Sequence, residues 1–307
     1  MFATLGTSAV RARRGGRSAV DPKLEVISKL PSSPRCAPPI LFVHGAWHAA
    51  WCWDEFFLDY FAAHGYAAHA LSLRGHGASD GRVGLHRCRV RHYVDDVAAV
   101  AAALPSSPIL VGHSMGGFVV QKFLESRSSP AAFLLASIPP GGARSMYARL
   151  MRNRPLDVLK ASATLSLWPI ISDPDRAQRL LFSAATSRDE AVRYHRLLQD
   201  ESMLGFLDCL ALDRVARNQV RSPIHVMGAA DDAIVADHEI KATARAYGTE
   251  AVVFDDVAHD MMLDPNWRTV ADSMIHKLDA QFSEPRLKPR RGRLRNAGPV
   301  EVGAAPV

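Results

Sequence analysis

Residues 108–119 read Pro-Ile-Leu-Val-Gly-His-Ser-Met-Gly-Gly-Phe-Val. An apolar run leads into Gly112-His-Ser-Met-Gly116, and a stretch with the apolar spacing of a helix follows. This order of strand, tight turn and helix is the setting in which the pattern G-x-S-x-G marks a nucleophile elbow. The turn holds its serine in a strained backbone conformation, and a Cβ at position 112 or 116 would collide with the neighbouring strand and helix. We therefore predict that Ser114 is a nucleophile.

The same five-residue pattern occurs a second time, at Gly77-Ala-Ser-Asp-Gly81. No apolar strand precedes this match and no helical periodicity follows it, so we interpret it as a solvated, glycine-rich loop. The local context therefore selects Ser114 and not Ser79.

A serine becomes a good nucleophile when a histidine takes its proton and an acid orients that histidine. Enzymes with this elbow supply the acid and then the histidine after later strands. Residues 250–254 (Glu-Ala-Val-Val-Phe) read as the last strand, and His259 is the one of 13 histidines that lies in the loop directly after it. We predict that His259 is the base; the alternative is an ordinary surface histidine.

Two adjacent aspartates follow the preceding strand, residues 223–228, and only one of them can face the imidazole. Asp232 is favoured because the apolar Ala-Ile-Val after it would pin the loop, and Asp231 is the alternative. The remaining aspartates of this region are interpreted as solvated loop charges: Asp255, Asp256 and Asp260.

An oxyanion hole needs two backbone N–H donors, one of them directly after the nucleophile. We predict Met115 for that donor. The second should follow the first central strand, where Ile-Leu-Phe-Val runs into His44-Gly-Ala-Trp, and this predicts Ala46. His44 is interpreted as a histidine that joins the loops beneath the site by hydrogen bonds.

Strands alternate with helical stretches over most of the chain, which predicts an α/β fold with a mostly parallel, doubly wound sheet. Residues 141–219 break this alternation, since they are helical in pattern and rich in arginine. We predict that they form a helical cap that shapes the substrate pocket. Its candidate pocket residues, for which packing inside the cap is an equal alternative, are Trp168, Phe182, Met203, Phe206 and Leu210.

Over about residues 23–282 the chain resembles the α/β-hydrolase superfamily. Residues 44–53 (HGAWHAAWCW) resemble the oxyanion loop of plant methylesterases and hydroxynitrile lyases, and residues 74–79 (RGHGAS) resemble a turn of many lipases, lysophospholipases and esterases. Ser72 differs from the aspartate that many relatives carry there, so we expect different hydrogen bonds in that loop. The His-Ser-Met-Gly-Gly form of the elbow favours hydrolysis over cyanohydrin chemistry.

The resemblance implies a triad of Ser114, Asp232 and His259, with Ala46 and Met115 as the oxyanion donors. We expect a serine hydrolase that cleaves carboxylic esters of small molecules through an acyl-enzyme on Ser114, without a metal or another cofactor. The alternatives are hydrolysis of a C–C, thioester or amide bond by the same triad, or a binding module without catalysis. An intact triad argues against the binding module, because binding alone does not require a strained elbow.

The net charge of +6 comes from the two ends of the chain. Residues 1–20 contain four arginines and no acid, and residues 283–307 contain six basic and two acidic residues, which leaves the body at −2. We predict that both ends are disordered basic extensions around one hydrolase domain at 21–282, and that the protein has no nucleic-acid partner.

The sequence contains no run of about 20 apolar residues, as a membrane span requires, and no typical secretion signal. The four cysteines follow neither a metal-binding nor a disulfide pattern. A reducing, cytoplasmic location is therefore expected. The oligomeric state cannot be read from the sequence.

Overall fold

The computed structural model describes residues 8–11 and 22–282. Their strands form one eight-stranded sheet in the order β1-β2-β4-β3-β5-β6-β7-β8. In chain order the strands are β1 Ser8–Arg11, β2 Lys23–Lys29, β3 Ile40–Val43, β4 Ala68–Leu71, β5 Ile109–His113, β6 Ala132–Leu135, β7 Ile224–Ala229 and β8 Ala251–Phe254. The pairs β1–β2 and β2–β4 are antiparallel, and all the other pairs are parallel.

The central strands are apolar and buried along their whole length, as expected for parallel strands covered on both faces. The register places Val43 of β3 beside Gly112 of β5 and Leu135 of β6 beside His113. The carboxyl ends of these strands therefore meet at one edge, so the loops after them converge there.

Helices cover both faces of the sheet. One face packs against α1 Trp51–Asp54, α2 Phe57–Ala63 and the C-terminal helix α12 Trp267–Phe282; the other packs against α3 Val90–Ala103, α4 Met115–Phe123 and α11 Asp237–Ala246. Each face buries its own apolar cluster, with Phe57 and Met274 in one and Val97 and Phe118 in the other. The prediction of a mostly parallel, doubly wound α/β sheet is confirmed.

Between β6 and β7 the chain forms a run of short helices, within the residues 141–219 predicted as a cap. They are α5 Arg144–Asn153, α6 Pro155–Thr164, α7 Trp168–Ile171, α8 Pro174–Leu181, α9 Arg188–His195 and α10 Met203–Leu207, followed by a π-helical turn at Asp208–Leu212. Among the described residues, four arginine or lysine ion pairs tie this segment to the sheet domain: Arg193 with Glu55, Arg89 with Asp208, Arg149 with Glu239, and Lys122 with Asp213. Short 3₁₀ turns lie at Arg82–Arg87 and Arg217–Gln219.

Strand β1 is a correction to the predicted extension at residues 1–20, because Ser8–Arg11 pairs with Lys23–Val26 of β2. The outer edge of β2 would otherwise expose unpaired backbone groups, and pairing satisfies them. The other residues of that extension, and the predicted tail at 283–307, lie outside the described residues. Within residues 8–11 and 22–282, no helix is both long and apolar enough to cross a bilayer.

Candidate active site

The elbow after β5 has the strained geometry that its sequence predicts. Ser114 has φ 51° and ψ −117°, a left-handed φ that is unusual for a residue other than glycine. A Cβ on Gly112 would lie 2.6 Å from the carbonyl oxygen of Gly116, and a Cβ on Gly116 would overlap the carbonyl oxygens of Val43 and His44. Glycine at both positions therefore lets the helix α4 approach the sheet closely. Ser114 lies at the tip of the turn between β5 and α4.

Three side chains from different loops form one hydrogen-bonded row. The Oγ of Ser114 lies 3.0 Å from Nε2 of His259, and Nδ1 of His259 lies 2.8 Å from Oδ2 of Asp232. Ser114 is 7% exposed and His259 is 2% exposed, so the row is nearly removed from bulk water. The structure thus brings together the three residues that the sequence predicts as a triad.

The loop after β7 presents Asp232 and not Asp231 to the imidazole. The Oδ1 of Asp232 accepts hydrogen bonds from the backbone N–H groups of Ile234 and Val235, at 2.7 and 2.8 Å, which leaves Oδ2 for His259. Asp231 is exposed on the other side of the same turn. These two backbone hydrogen bonds hold the carboxylate in place. Their donors belong to the apolar residues after Asp232 that were expected to pin the loop.

Two opposing effects act on the His259 ring. Burial disfavours its charged form, but the attraction of the Asp232 carboxylate and its hydrogen bond, with a further contribution from Asp260, raise the pKa of His259 above its ordinary value. The site therefore stabilises an imidazolium, which is the species that forms when His259 takes a proton from Ser114.

The two predicted oxyanion donors border the same cavity as Ser114. Among the described residues, neither the N–H of Ala46 nor that of Met115 has a hydrogen-bond acceptor, and the Met115 N–H is at the first turn of α4. His44 Nδ1 donates to the carbonyl of Gly45 at 2.8 Å, which fixes the peptide unit that carries the Ala46 N–H. His44 Nε2 accepts from the N–H of Leu73 at 3.0 Å, so His44 joins two loops.

Asp260 is not the solvated loop charge that the sequence suggested, because it is 1% exposed. Its Oδ2 lies 3.0 Å from Nε2 of His48, and Nδ1 of His48 lies 2.8 Å from the carbonyl oxygen of Ala46. Both ring nitrogens of His48 therefore lie within hydrogen-bond distance of an acceptor atom. Burial opposes ionisation of Asp260, but the neighbouring His48 outweighs it and the pKa of Asp260 is lowered.

The pair of His48 and Asp260 joins the oxyanion loop to the loop of the base. Asp260 directly follows His259, and its partner His48 holds the carbonyl of Ala46. This pair was missed at the level of sequence, since its members are 212 positions apart and a hydrogen bond over that separation leaves no local pattern.

A metal ion does not fit the one group of donors close enough to bind it among the described residues. His113, His259 and Asp260 bring their ligand atoms within 4.8 Å of one another. Both nitrogens of His259 are already engaged, by Asp232 and Ser114, and His113 Nε2 donates to the carbonyl of His259 at 2.9 Å. A metal on His259 would have to displace a partner of the triad.

The loop with the second G-x-S-x-G match is structural, and its serine is buried, contrary to the solvated loop expected. Ser79 Oγ donates to the carbonyl of Ser72 at 2.6 Å and accepts from the N–H of Glu25 at 2.9 Å. Ser72 Oγ in turn donates to Glu25 Oε2 at 2.6 Å and accepts from the N–H of Ala50. The Glu25 carboxylate of β2 thus accepts hydrogen bonds from this loop.

A cavity of about 420 Å³ opens from Ser114 into the cap. The sheet domain contributes Ala46, Trp47, Ser114 and Met115, and the loop of Asp232 contributes Ala233 and Ile234. The rest of the wall comes from residues 138–209 and is mostly apolar. Of the five pocket residues predicted in the cap, only Phe206 lines this cavity; Met203 and Leu210 line a smaller one of about 60 Å³ behind it.

Comparison with known proteins agrees with this geometry. The profile of the "Alpha/beta hydrolase family" matches residues 40–272. A non-heme chloroperoxidase of Streptomyces lividans is 37% identical over 112 residues, which cover 35% of this chain and 39% of that protein. The "Probable esterase PIR7A" of Oryza sativa subsp. indica is 38% identical over 109 residues, covering 33% of this chain and 40% of that protein. The match thus spans less than half of either relative.

Among solved structures, an esterase from Exiguobacterium antarcticum superposes with a TM-score of 0.67 at 16% identity, covering 89% of this chain and 99% of that one. At this identity the likeness concerns the fold. The superfamily resemblance seen in the motifs is confirmed, because the family profile extends over most of the chain and includes the elbow and both later loops. The protein belongs to the alpha/beta hydrolase family.

Proposed function

We propose that the protein is a serine hydrolase that cleaves carboxylic esters of small molecules through an acyl-enzyme on Ser114. The observation that carries this proposal is the continuous row from Ser114 Oγ through both nitrogens of His259 to Asp232, at 3.0 and 2.8 Å. A serine on a strained elbow, next to a histidine whose pKa is raised, is equipped for nucleophilic attack.

In the first half of the reaction, Ser114 Oγ attacks the ester carbonyl carbon as its proton passes to His259 Nε2. The carbonyl oxygen becomes an oxyanion, which the N–H groups of Ala46 and Met115 stabilise. Asp232 stabilises the imidazolium through Nδ1. The C–O bond of the ester then breaks, and the leaving alkoxide takes the proton from Nε2 and departs as an alcohol.

In the second half, a water molecule enters and His259 Nε2 takes one of its protons. The resulting hydroxide attacks the acyl carbon, and a second oxyanion forms at the same two N–H groups. The bond from the acyl carbon to Ser114 Oγ breaks, and Oγ recovers the proton from Nε2. The carboxylic acid leaves and the free enzyme is restored, so protein side chains and water complete the cycle.

The name of one relative supports an ester as the substrate: the rice protein, 38% identical over the matched segment, is named a probable esterase. The strained φ of Ser114 argues against a binding module, because such strain costs about 1–3 kcal/mol and serves a reacting side chain. All four cysteines are free, which supports a reducing, cytoplasmic location.

The test combines a covalent probe with a substrate panel. A fluorophosphonate should label the wild type and not the Ser114→Ala variant. p-Nitrophenyl esters of increasing acyl length, with a matched thioester and anilide, should show turnover that is highest for the esters. Labelling without turnover of any ester would contradict ester hydrolysis, and labelling of the Ser114→Ala variant at the wild-type rate would contradict the nucleophile.

A further inference from the structure

The wall of the active-site cavity that the cap contributes contains several polar side chains that no part of the described protein satisfies. Tyr147, Asn153 and Arg154 line the cavity from α5 and its end, and Arg179 lines it from the last turn of α8. Within residues 8–11 and 22–282, none of these four side chains makes a hydrogen bond. Their common property is that each can donate one.

Of the two arginines, Arg154 is the more confined: its side chain is 19% exposed, whereas Arg179 belongs to the exposed residues. Its nearest carboxylate, Asp157, is 3.8 Å away and lies closer to Arg176, at 2.5 Å. Burial is the first cause that lowers the pKa of Arg154, and the positive charges of Arg179 and Arg176 lower it further. Arg154 therefore carries a charge that its protein neighbours only partly compensate.

The nearby acids are occupied elsewhere. Asp173 caps α8 by accepting from the backbone N–H of Arg176, and Asp157 is shared with the Arg176 side chain. The buried Glu201, which also lines the cavity, accepts from the hydroxyl of Tyr93 and lies 3.1 Å from His76. Arg179 has no ion-pair partner in the described part of the chain, so its charge is available to a ligand.

Arg149 differs from Arg154 and Arg179 because its guanidinium has hydrogen-bond acceptors within the protein. It lines the same cavity, but its guanidinium bonds to Glu239 and to the carbonyl of Ile234, and so joins α5 to the loop of Asp232. The protein thus compensates one cavity arginine fully and leaves Arg154 and Arg179 without a hydrogen-bond acceptor.

We propose that the substrate is an ester with an anionic group at the end remote from the scissile bond, and that Arg154 and Arg179 bind this group. The inference rests on the proposed function and specifies its substrate class. A guanidinium offers paired N–H donors that match a carboxylate, sulfate or phosphate, and Asn153 and Tyr147 supply further donors beside it. The apolar residues that line the same cavity suit a hydrocarbon spacer.

The test uses pairs of methyl esters that differ only in a terminal charge. Monomethyl esters of adipic, suberic and sebacic acid are compared with methyl hexanoate, octanoate and decanoate, with turnover followed by alcohol release. For at least one chain length, kcat/KM should be about tenfold higher for the charged ester, because a hydrogen bond between a guanidinium and an anion is stronger than one between neutral groups. An alkyl phosphate monoester and an alkyl sulfate monoester of the same chain length are then tested as inhibitors. Their inhibition, compared with that by the matching carboxylate, shows whether the site prefers a carboxylate to the other anions.

The variants Arg154→Gln and Arg179→Gln should each lower kcat/KM for the charged ester far more than for its neutral partner, so that most of this preference is lost. The matched control is Arg152→Gln. It removes an exposed arginine of α5 that does not line the cavity. Arg179→Lys should retain part of the preference, because it keeps the charge and loses the paired donors.

A readout without turnover separates this inference from the proposed function. Suberate should slow fluorophosphonate labelling of Ser114 in the wild type, and less so in Arg154→Gln. Equal kcat/KM for charged and neutral esters at every chain length, with normal labelling, would overturn the anionic substrate class and leave ester hydrolysis intact. Loss of the preference in the Arg152→Gln control would also overturn it, since that result would indicate a general charge effect.

Discussion

Replacing Asp232 by asparagine should disable the base while the shape of the site is kept. In the native protein Oδ1 of Asp232 accepts from two backbone N–H groups, at 2.7 and 2.8 Å, and Oδ2 accepts from His259 Nδ1. An asparagine would place its one carbonyl oxygen on the two N–H groups and its NH₂ group toward Nδ1. The imidazole would then carry its proton on Nε2, the atom that must accept the proton of Ser114.

The expected loss in kcat is about 10⁴-fold, the size that this change of tautomer has in serine proteases. The structure leads to a similar value by a separate route. Two unit charges 2.8 Å apart attract by about 6 kcal/mol at an effective dielectric constant of 20, which is the stabilisation that the imidazolium loses. Divided by 1.36 kcal/mol per factor of ten, this is slightly more than 10⁴ in rate.

The measurement is kcat and KM on one activated ester, with circular dichroism to confirm that the variant is folded. Asp231→Asn is the matched control: it removes the same charge from an exposed neighbour and should leave kcat within about threefold, as exposed charges interact weakly through solvent. Retention of more than a tenth of wild-type kcat by Asp232→Asn, or a larger loss in Asp231→Asn, would refute the assignment of the acid.

Three further predictions follow from the same geometry. Ser114→Ala should keep the fold and lower ester turnover by about 10⁴ to 10⁶-fold, while Ser79→Ala should leave turnover nearly unchanged and lower only stability; an equal collapse in both would contradict the choice of elbow. Since His259 must be neutral to accept a proton and its pKa is raised, kcat/KM should rise with pH with an apparent pKa above the ordinary 6.5, and a midpoint below 6.5 would contradict the effect of Asp232. Asp260→Asn disrupts the buried pair of His48 and Asp260 and should lower the free energy of unfolding by about 3–5 kcal/mol in urea titrations, whereas a loss below about 1 kcal/mol would show that the pair contributes little to stability.

The elbow and the parallel sheet could be predicted because both depend on short, contiguous sequence patterns. A strand, a turn with glycine at 112 and 116 and a helix are contiguous in the chain, so the steric demand for glycine is visible in the sequence. The loops of Asp232 and His259 were predictable for a related reason: each directly follows an apolar strand, and parallel strands bring their carboxyl ends to one edge.

Charges in loops were less predictable, and Asp260 shows why. Asp260 follows the same strand as Asp255 and Asp256, which are exposed, yet Asp260 is buried against His48. The same holds for Ser79, whose buried hydroxyl depends on contacts with β2 and with the carbonyl of Ser72. Burial is a property of what packs over a residue, and those partners are distant in the chain.

The fold class, the elbow and the loops that contain Asp232 and His259 could be predicted from the amino-acid sequence, because each depends on a short contiguous pattern. Folding was needed to place Asp232, and not Asp231, within hydrogen-bond distance of His259, to pair His48 with Asp260, and to show which cavity arginines of the cap have no hydrogen-bond acceptor among the described residues. These outcomes depend on distances of about 3–4 Å between side chains up to 212 positions apart, and such distances exist only once the chain is folded.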